Sequence, residues 1–298
     1  MGDPGLAAMA GVSIKVRLVS LAGDLVSLSI VEVKRLLEKA GIAPKKSLGQ
    51  NFVVDPNTVK KIVRLAQIKS DSRVVEIGPG LGSLTLALID TGAEVSVVET
   101  DGALIPLLAE VLNGGARIVH ADARTVDWQD LAPGKGWDLV ANLPYNIATS
   151  LVIELLDEVP SVDRMLVMVQ REAGERIAAK VGDSAYGAVS IRVALHAKAT
   201  VVGSVSPSVF YPKPRVASVL VAVERHKQME TSTEVIEEMI RLLRLSFGQR
   251  RKMLRKSLTG VTTSASVTIS GVKPSQRPEE LDVETWLRFA EANLQVST

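Results

Sequence analysis

Val74-Val75-Glu76-Ile77-Gly78-Pro79-Gly80-Leu81-Gly82 reads as a short β-branched strand that breaks into a turn with glycine at every second position. Glycine there lets the backbone take positive φ and approach a ligand closely. The helical stretch that follows, Leu84 to Asp90, would present its first N–H groups to whatever occupies the turn. Such turns also occur without a ligand, so this one acquires meaning from its surroundings. The spacing differs from the Gly-x-Gly-x-x-Gly of a nicotinamide site, and position 83 is Ser.

Working outward, two helices precede the turn. Ile30 to Ala40 has helical spacing and is stopped by Gly41; Pro56 to Ala66 has Asp55 as its N-cap and Pro56 at its first position. After the first strand come Glu94 to Glu99 (strand), Gly102 to Leu112 (helix), Ala116 to His120 and Trp137 to Ala141 (strands). Ser150 to Leu156 (helix), Met165 to Gln170 (strand) and Glu172 to Ala179 (helix) continue the alternation. This pattern predicts parallel β-α units in a doubly wound α/β sheet. Ser190 to Val202 and Ala217 to Glu224 read as two more strands without a long helix between them, as a reversed pair near the sheet edge requires. Beyond about His226 the chain turns to Glu-, Arg- and Leu-rich helical segments. The expected organisation is an extension of unknown role over 1–29, an α/β domain over 30–225 and a small helical domain over 226–298.

Composition removes several classes of chemistry. None of the 298 residues is Cys, which excludes disulfides, thiolate metal sites and Cys nucleophiles and fits a reducing compartment. His120, His196 and His226 are the only imidazoles, and their spacing points away from metal catalysis. The first 30 residues are apolar but interrupted by Lys15, Arg17 and Asp24, so no membrane span or signal peptide is expected. The absence of an Arg- and Ser-rich leader favours a cytoplasmic location. The net charge is only +2, yet Arg241, Arg244, Arg250, Arg251, Lys252, Arg255 and Lys256 form a run without an acid. Lys45, Lys46, Lys60, Lys61 and Arg64 make a second cluster. Such runs are commonly solvated faces; two in a balanced chain point to a phosphate-binding surface.

Three further features fall at strand ends. Glu99 closes the second strand, where a carboxylate can accept both hydroxyls of a ribose. Asp122, just after the third, can accept from an adenine amino group. With the glycine turn they outline an adenosine-shaped ligand at the edge where doubly wound folds bind. Asn142-Leu143-Pro144-Tyr145 follows the fourth strand. A purine amino group is a poor nucleophile because its lone pair is delocalised into the ring. Accepting its hydrogen bonds turns the nitrogen toward sp3 geometry and frees that pair. The Asn142 side-chain oxygen and the Leu143 carbonyl suit that task, Pro144 stiffens the turn, and Tyr145 offers a stacking ring. A strand-ending turn with a buried Tyr is the bland alternative. A base-amine clamp beside an adenosine site is the arrangement needed for methyl transfer from S-adenosylmethionine.

These segments resemble the KsgA-type small-subunit ribosomal RNA adenine dimethyltransferases. The likeness runs from about Ala43 to the C-terminal region. It includes Lys45 to Phe52, Glu76 to Gly82, Asn142 to Tyr145, Gln170 to Glu172, Ser184 to Gly187, Phe210 to Ser218, Phe247 to Lys252 and Arg277 to Leu287. The resemblance implies a Rossmann-like methyltransferase sheet with a small C-terminal helical domain. It implies that Gln50, Asn51 and the backbone of Val53 close over S-adenosylmethionine, Val53 standing where the family commonly has Leu. It further implies that Gly78, with Gly80 in the same turn, approaches the methionine part. Glu99 would then hold the ribose, Asp122 the adenine and Asn142 the reacting end. Phe210 would face the target base opposite Tyr145, unless it is a packing residue ahead of Pro212 and Pro214. Arg250, Arg251 and Lys252 would contact RNA. The implied product is N6,N6-dimethyladenine, at two adjacent adenines near the 3′ end of small-subunit RNA, made during ribosome assembly. The implied partner is an immature small subunit, met by a monomer without metal or membrane. The erythromycin-resistance methylases, which modify large-subunit RNA, a non-catalytic assembly factor and a nicotinamide oxidoreductase are the competing readings. Leu143 and the Lys45–Phe52 and Phe247–Lys252 segments favour the small-subunit family.

Overall fold

The computed structural model describes residues 27–226, 231–249 and 251–297; most of the expected extension (1–26) and Arg250 lie outside the described residues. Helix α1 (Ile30–Ala40) starts at a capping box in which Ser29 and Glu32 exchange hydrogen bonds, and it stops at Gly41 with φ 65°. After β1 (Phe52–Val53), α2 (Pro56–Ala66) opens on Asp55, whose carboxylate accepts from the Thr58 N–H at 2.8 Å. The alternating run follows: β2 (Arg73–Ile77), α3 (Ser83–Asp90), β3 (Glu94–Glu99), α4 (Ile105–Leu112), β4 (Arg117–His120) and α5 (Trp128–Leu131). It continues with β5 (Trp137–Asn142), α6 (Ala148–Glu158), β6 (Val162–Gln170), α7 (Arg171–Ala178) and α8 (Ala188–His196). Then come β7 (Ala197–Val205), β8 (Phe210–Tyr211), β9 (Ser218–Arg225) and the helices α9 (Thr233–Phe247), α10 (Leu254–Ser257), α11 (Ser264–Ser270) and α12 (Val283–Ser297).

The seven-stranded sheet has the order β4-β3-β2-β5-β6-β9-β7, and its first five strands are parallel. β9 runs antiparallel between β6 and β7, so the reversed pair lies at the edge as expected. The winding changes direction between β2 and β5, a switch point that opens a crevice at the carboxyl ends of those strands. Register carries the site residues together: Ile77 pairs with Val98, which sets Gly78 beside Glu99. Alternate residues feed opposite layers. Val74 packs into the cluster under α1–α4, while Val75 and Ile77 join the cluster under α6. A short antiparallel pair, β1 with β8, sets Val53 opposite Phe210.

One expected strand divides in two. Ser190 to Val202 is not continuous: residues up to His196 belong to α8, and only from Ala197 does β7 begin. Ile191, Val193 and Leu195 alternate like a strand, but Ile191 and Leu195 also share a helix face at i, i+4. That face packs into the third cluster with Met239, Trp286 and Phe289, while Val193 packs under the sheet. Burial on two sides erased the helical period. The Tyr186 hydroxyl adds to the same junction by donating to the Leu281 carbonyl at 2.9 Å.

Candidate active site

A cavity of about 280 Å³ opens at the carboxyl ends of β2, β3, β4 and β5. Gly78 and Gly80 line it with φ of 68° and 59°. A Cβ on Gly80 would stand 2.8 Å from the Phe52 ring, so only glycine lets β1 close on this turn. The first turn of α3 faces the same space, and the Ser83 hydroxyl there is buried without a hydrogen-bond partner among the described residues.

Two acids stand behind the turn. Glu99 is 5 % exposed, and its carboxylate accepts from the Gly80 N–H at 3.1 Å and the Asp101 N–H at 2.8 Å. Burial pushes its pKa up against those two donors. It is thus neither a surface acid nor a helix cap. Glu76 is fully buried at the end of β2 and accepts from the Thr85 hydroxyl at 2.6 Å. Desolvation lifts its pKa to about 8, Thr85 opposing and the nearby Glu99 charge adding. No role for Glu76 was expected; a Glu inside an apolar strand, with a Thr on the next helix, was the available signal. Asp122 also lines the cavity, and hydrogen bonds from the Arg124 side chain (2.7 Å) and backbone (2.9 Å) hold its carboxyl below the usual range.

The roof is residues 47–53. Gln50, Asn51 and Val53 all line the cavity, as do Gly78, Gly80, Glu99, Asp122 and Asn142, so the whole expected cofactor set meets in one place. Asn142 Nδ2 donates to the Asn51 carbonyl at 3.0 Å, which leaves Oδ1 as the acceptor available to the cavity.

The rest of the expected acceptor set is more dispersed. Pro144 lines the cavity, and its carbonyl starts α6 by accepting from Ile147 and Ala148. Leu143 is buried in the sheet core with its N–H on the Met168 carbonyl at 3.1 Å, leaving its own carbonyl as the remaining polar group. Tyr145 is half-buried and does not line the cavity, its hydroxyl 2.7 Å from the fully buried Ser218 hydroxyl. Burial, opposed by Ser218, pushes the phenol pKa up. Phe210 is 3 % exposed, packed in the core, and does not line the cavity.

Arg251 and Lys252 are exposed in the connection between α9 and α10. Neither they nor Arg244, Arg255 and Lys256 form an ion pair among the described residues, whereas Arg241 is held by Glu238. In the amino-terminal cluster Lys45 is committed to Asp101 and Lys61 to the Ser204 carbonyl, while Lys46 and Arg64 are exposed. Among the described residues no group of three or more His, Cys, Asp or Glu is placed to hold a metal ion, and no helix is long and apolar enough to cross a membrane.

The chain matches the family model of ribosomal RNA adenine dimethylase over residues 42–294. It is 43 % identical over 271 residues to the ribosomal RNA small subunit methyltransferase A of Leifsonia xyli, covering 87 % of this chain and 96 % of that one. The protein of the same name from Thermobifida fusca is 43 % identical over 281 residues, with 89 % and 95 % covered. Among solved structures, a dimethyladenosine transferase from Plasmodium falciparum superposes with a TM-score of 0.66 at 27 % identity, over 79 % of this chain and 94 % of that one. The 23S rRNA methyltransferase ErmE gives 0.64 at 25 % identity, over 81 % and 99 %. Sheet order, glycine turn and relatives together define the class, a Rossmann-like methyltransferase. Within that class, the chain belongs to the ribosomal RNA adenine dimethylase family.

Proposed function

We propose that this chain transfers methyl groups from S-adenosylmethionine to the N6 amino group of adenines in small-subunit ribosomal RNA, twice per adenine, during subunit assembly. The observation that carries this reading is the Asn142 amide, oriented by the Asn51 carbonyl at the edge of a cavity lined by the expected cofactor set. The lining fits a ligand bearing positive charge and ribose hydroxyls. Glu99 and Asp122 face it, Arg124 is already paired with Asp122, and the Ser83 hydroxyl lacks a hydrogen-bond partner among the described residues.

In this reading Gly78 and Gly80 admit the methionine part, Glu99 holds the ribose, Asp122 the adenine, and Gln50, Asn51 and the Val53 backbone close the roof. The cofactor, when bound, supplies an electrophilic methyl group on a positively charged sulfur. The chain supplies position. Asn142 Oδ1 and the Leu143 carbonyl accept the two amine hydrogens and free the nitrogen lone pair, and Tyr145 stacks on the extruded base. Phe210 would have to leave the core to face the base from the other side. No strong base is needed, because an alkylated, positively charged amine sheds its proton readily. Residues 30–225 would carry out this chemistry, while 226–298, with Arg250, Arg251 and Lys252, would hold RNA phosphates. We place the protein in the cytoplasm as a monomer.

The fold match to ErmE favours one competing substrate, large-subunit RNA. Incubating the protein with labelled S-adenosylmethionine and undermethylated small or large subunits separates the two. Dimethyladenosine in the small subunit alone supports the proposal. Label in the large subunit supports the rival, and tight subunit binding without label points to an assembly role.

A further inference from the structure

Asp101, two residues beyond Glu99, is outside the expected site set, yet its side chain is only 4 % exposed. Its Oδ1 accepts from Lys45 Nζ at 2.7 Å and from the Ala103 N–H at 3.2 Å, and its Oδ2 accepts from Gln50 Nε2 at 2.7 Å. Gln50 Oε1 in turn accepts from the Lys45 N–H at 2.7 Å, closing a ring of bonds between the loop after β3 and the segment before β1. Burial opposes ionisation of Asp101, but the bonds from Lys45, Gln50 and Ala103 prevail and hold its carboxyl below the usual range. A turn-capping role would need only the Ala103 bond. Lys45 and Gln50 serve something else.

What they tie down is the cavity roof, residues 47–53. The same segment is fastened at its other end to the turn after β5. A Cβ on Gly49 would lie 3.1 Å from Pro144 Cβ, Asn51 Nδ2 donates to the Gly49 carbonyl at 3.0 Å, and the Asn51 carbonyl receives Asn142 Nδ2. One strap therefore reaches from the end of β3 to the end of β5. The Asp101 N–H also donates to Glu99, so anchor and cavity acid share a turn.

We propose that Asp101 is a positioning residue that latches the 45–53 strap over the cavity, governing cofactor retention and, through the Asn51 carbonyl, the orientation of Asn142. This rests on the reading of the cavity as the S-adenosylmethionine site. An exposed Lys–Asp pair contributes little, but here the carboxylate is buried and satisfies three donors, so removing it strands Gln50 and Ala103 as well.

The test uses the full chain as wild type, Asp101→Ala, Lys45→Met and the double variant. S-adenosylmethionine affinity is read by calorimetry, the strap by hydrogen exchange, and turnover at saturating cofactor by methyl transfer. Asp101→Ala should weaken binding about tenfold or more and Lys45→Met about threefold, with the double variant no worse than Asp101→Ala. Exchange should quicken in 45–53 but not in β2 or β5, and turnover should fall in step as Asn142 loses its guide. Because Lys45 is exposed, Lys45→Met tests the latch even if Asp101→Ala folds poorly. Unchanged affinity and exchange in Lys45→Met, or penalties that simply add, would overturn the latch while leaving the cofactor reading intact. A wild type that does not bind S-adenosylmethionine would overturn that reading and the latch together.

Discussion

At the carboxyl edge of the parallel strands the polar side chains are buried or half-buried and individually tied: Glu99 to two backbone amides, Asp101 to three donors, Asn142 to one carbonyl. On α9, α10 and the connection between them, Arg244, Arg251, Lys252, Arg255 and Lys256 stand exposed and without ion pairs among the described residues. The first region works by geometry, where one misplaced group spoils the arrangement. The second works by summed charge, where each residue contributes a similar, salt-screened share. Substitutions should therefore be steep in the cavity and shallow on the helices.

The largest effect on cofactor binding belongs to Glu99. Two hydrogen bonds from ribose hydroxyls to a carboxylate contribute about 3 kcal/mol or more, so Glu99→Ala should weaken S-adenosylmethionine binding about a hundredfold by calorimetry. A loss under about threefold would place the ribose elsewhere. Replacing Arg251 and Lys252 together by Ala should weaken RNA binding only about tenfold at low salt and reduce the logarithmic salt slope by about 1.5. An unchanged slope would return this run to a solvated face and erase the contrast between the regions. Ser218→Ala removes one neutral hydrogen bond from the Tyr145 hydroxyl, so methyl transfer should slow about fivefold with cofactor affinity unchanged. Equal loss of both would make Ser218 a packing residue.

A further effect is one of pH, read on stability. Burial raises the Glu76 pKa from 4.5 to about 8, so across that window the folded chain keeps a proton the unfolded chain has released. Stability then falls as pH rises toward 8. Glu76→Gln cannot ionise, so its Tm relative to wild type should be higher at pH 8 than at pH 5. A gap independent of pH would mean that Glu76 ionises freely.

Much of the β-α alternation was legible because each unit is local. The turn from Ile77 to Gly82, the Asp55 cap and Gly41 announce themselves within a few positions. Sites at successive strand ends were legible for the same reason, since a doubly wound fold aligns those ends without further information. Ser190 to Val202 failed because Ile191, Val193 and Leu195 satisfy two periods at once, and contacts with α9 and α12 decide between them. The Lys45–Asp101 pair spans 56 positions and the Asn142–Asn51 bond 91, distances over which spacing carries no signal. For Phe210 the sequence left a base-facing ring and a packing residue both open; its pairing opposite Val53 sets it in the core.

The clamp at Asn142 is the centre of the account, and one variant tests it most directly. Asn142→Ala should be assayed for cofactor affinity and for single-turnover methylation of undermethylated small subunits. Turnover should fall about a thousandfold while the S-adenosylmethionine Kd stays within about threefold of wild type, because the amide oxygen acts on the reacting amine. Full activity in that variant would contradict the clamp.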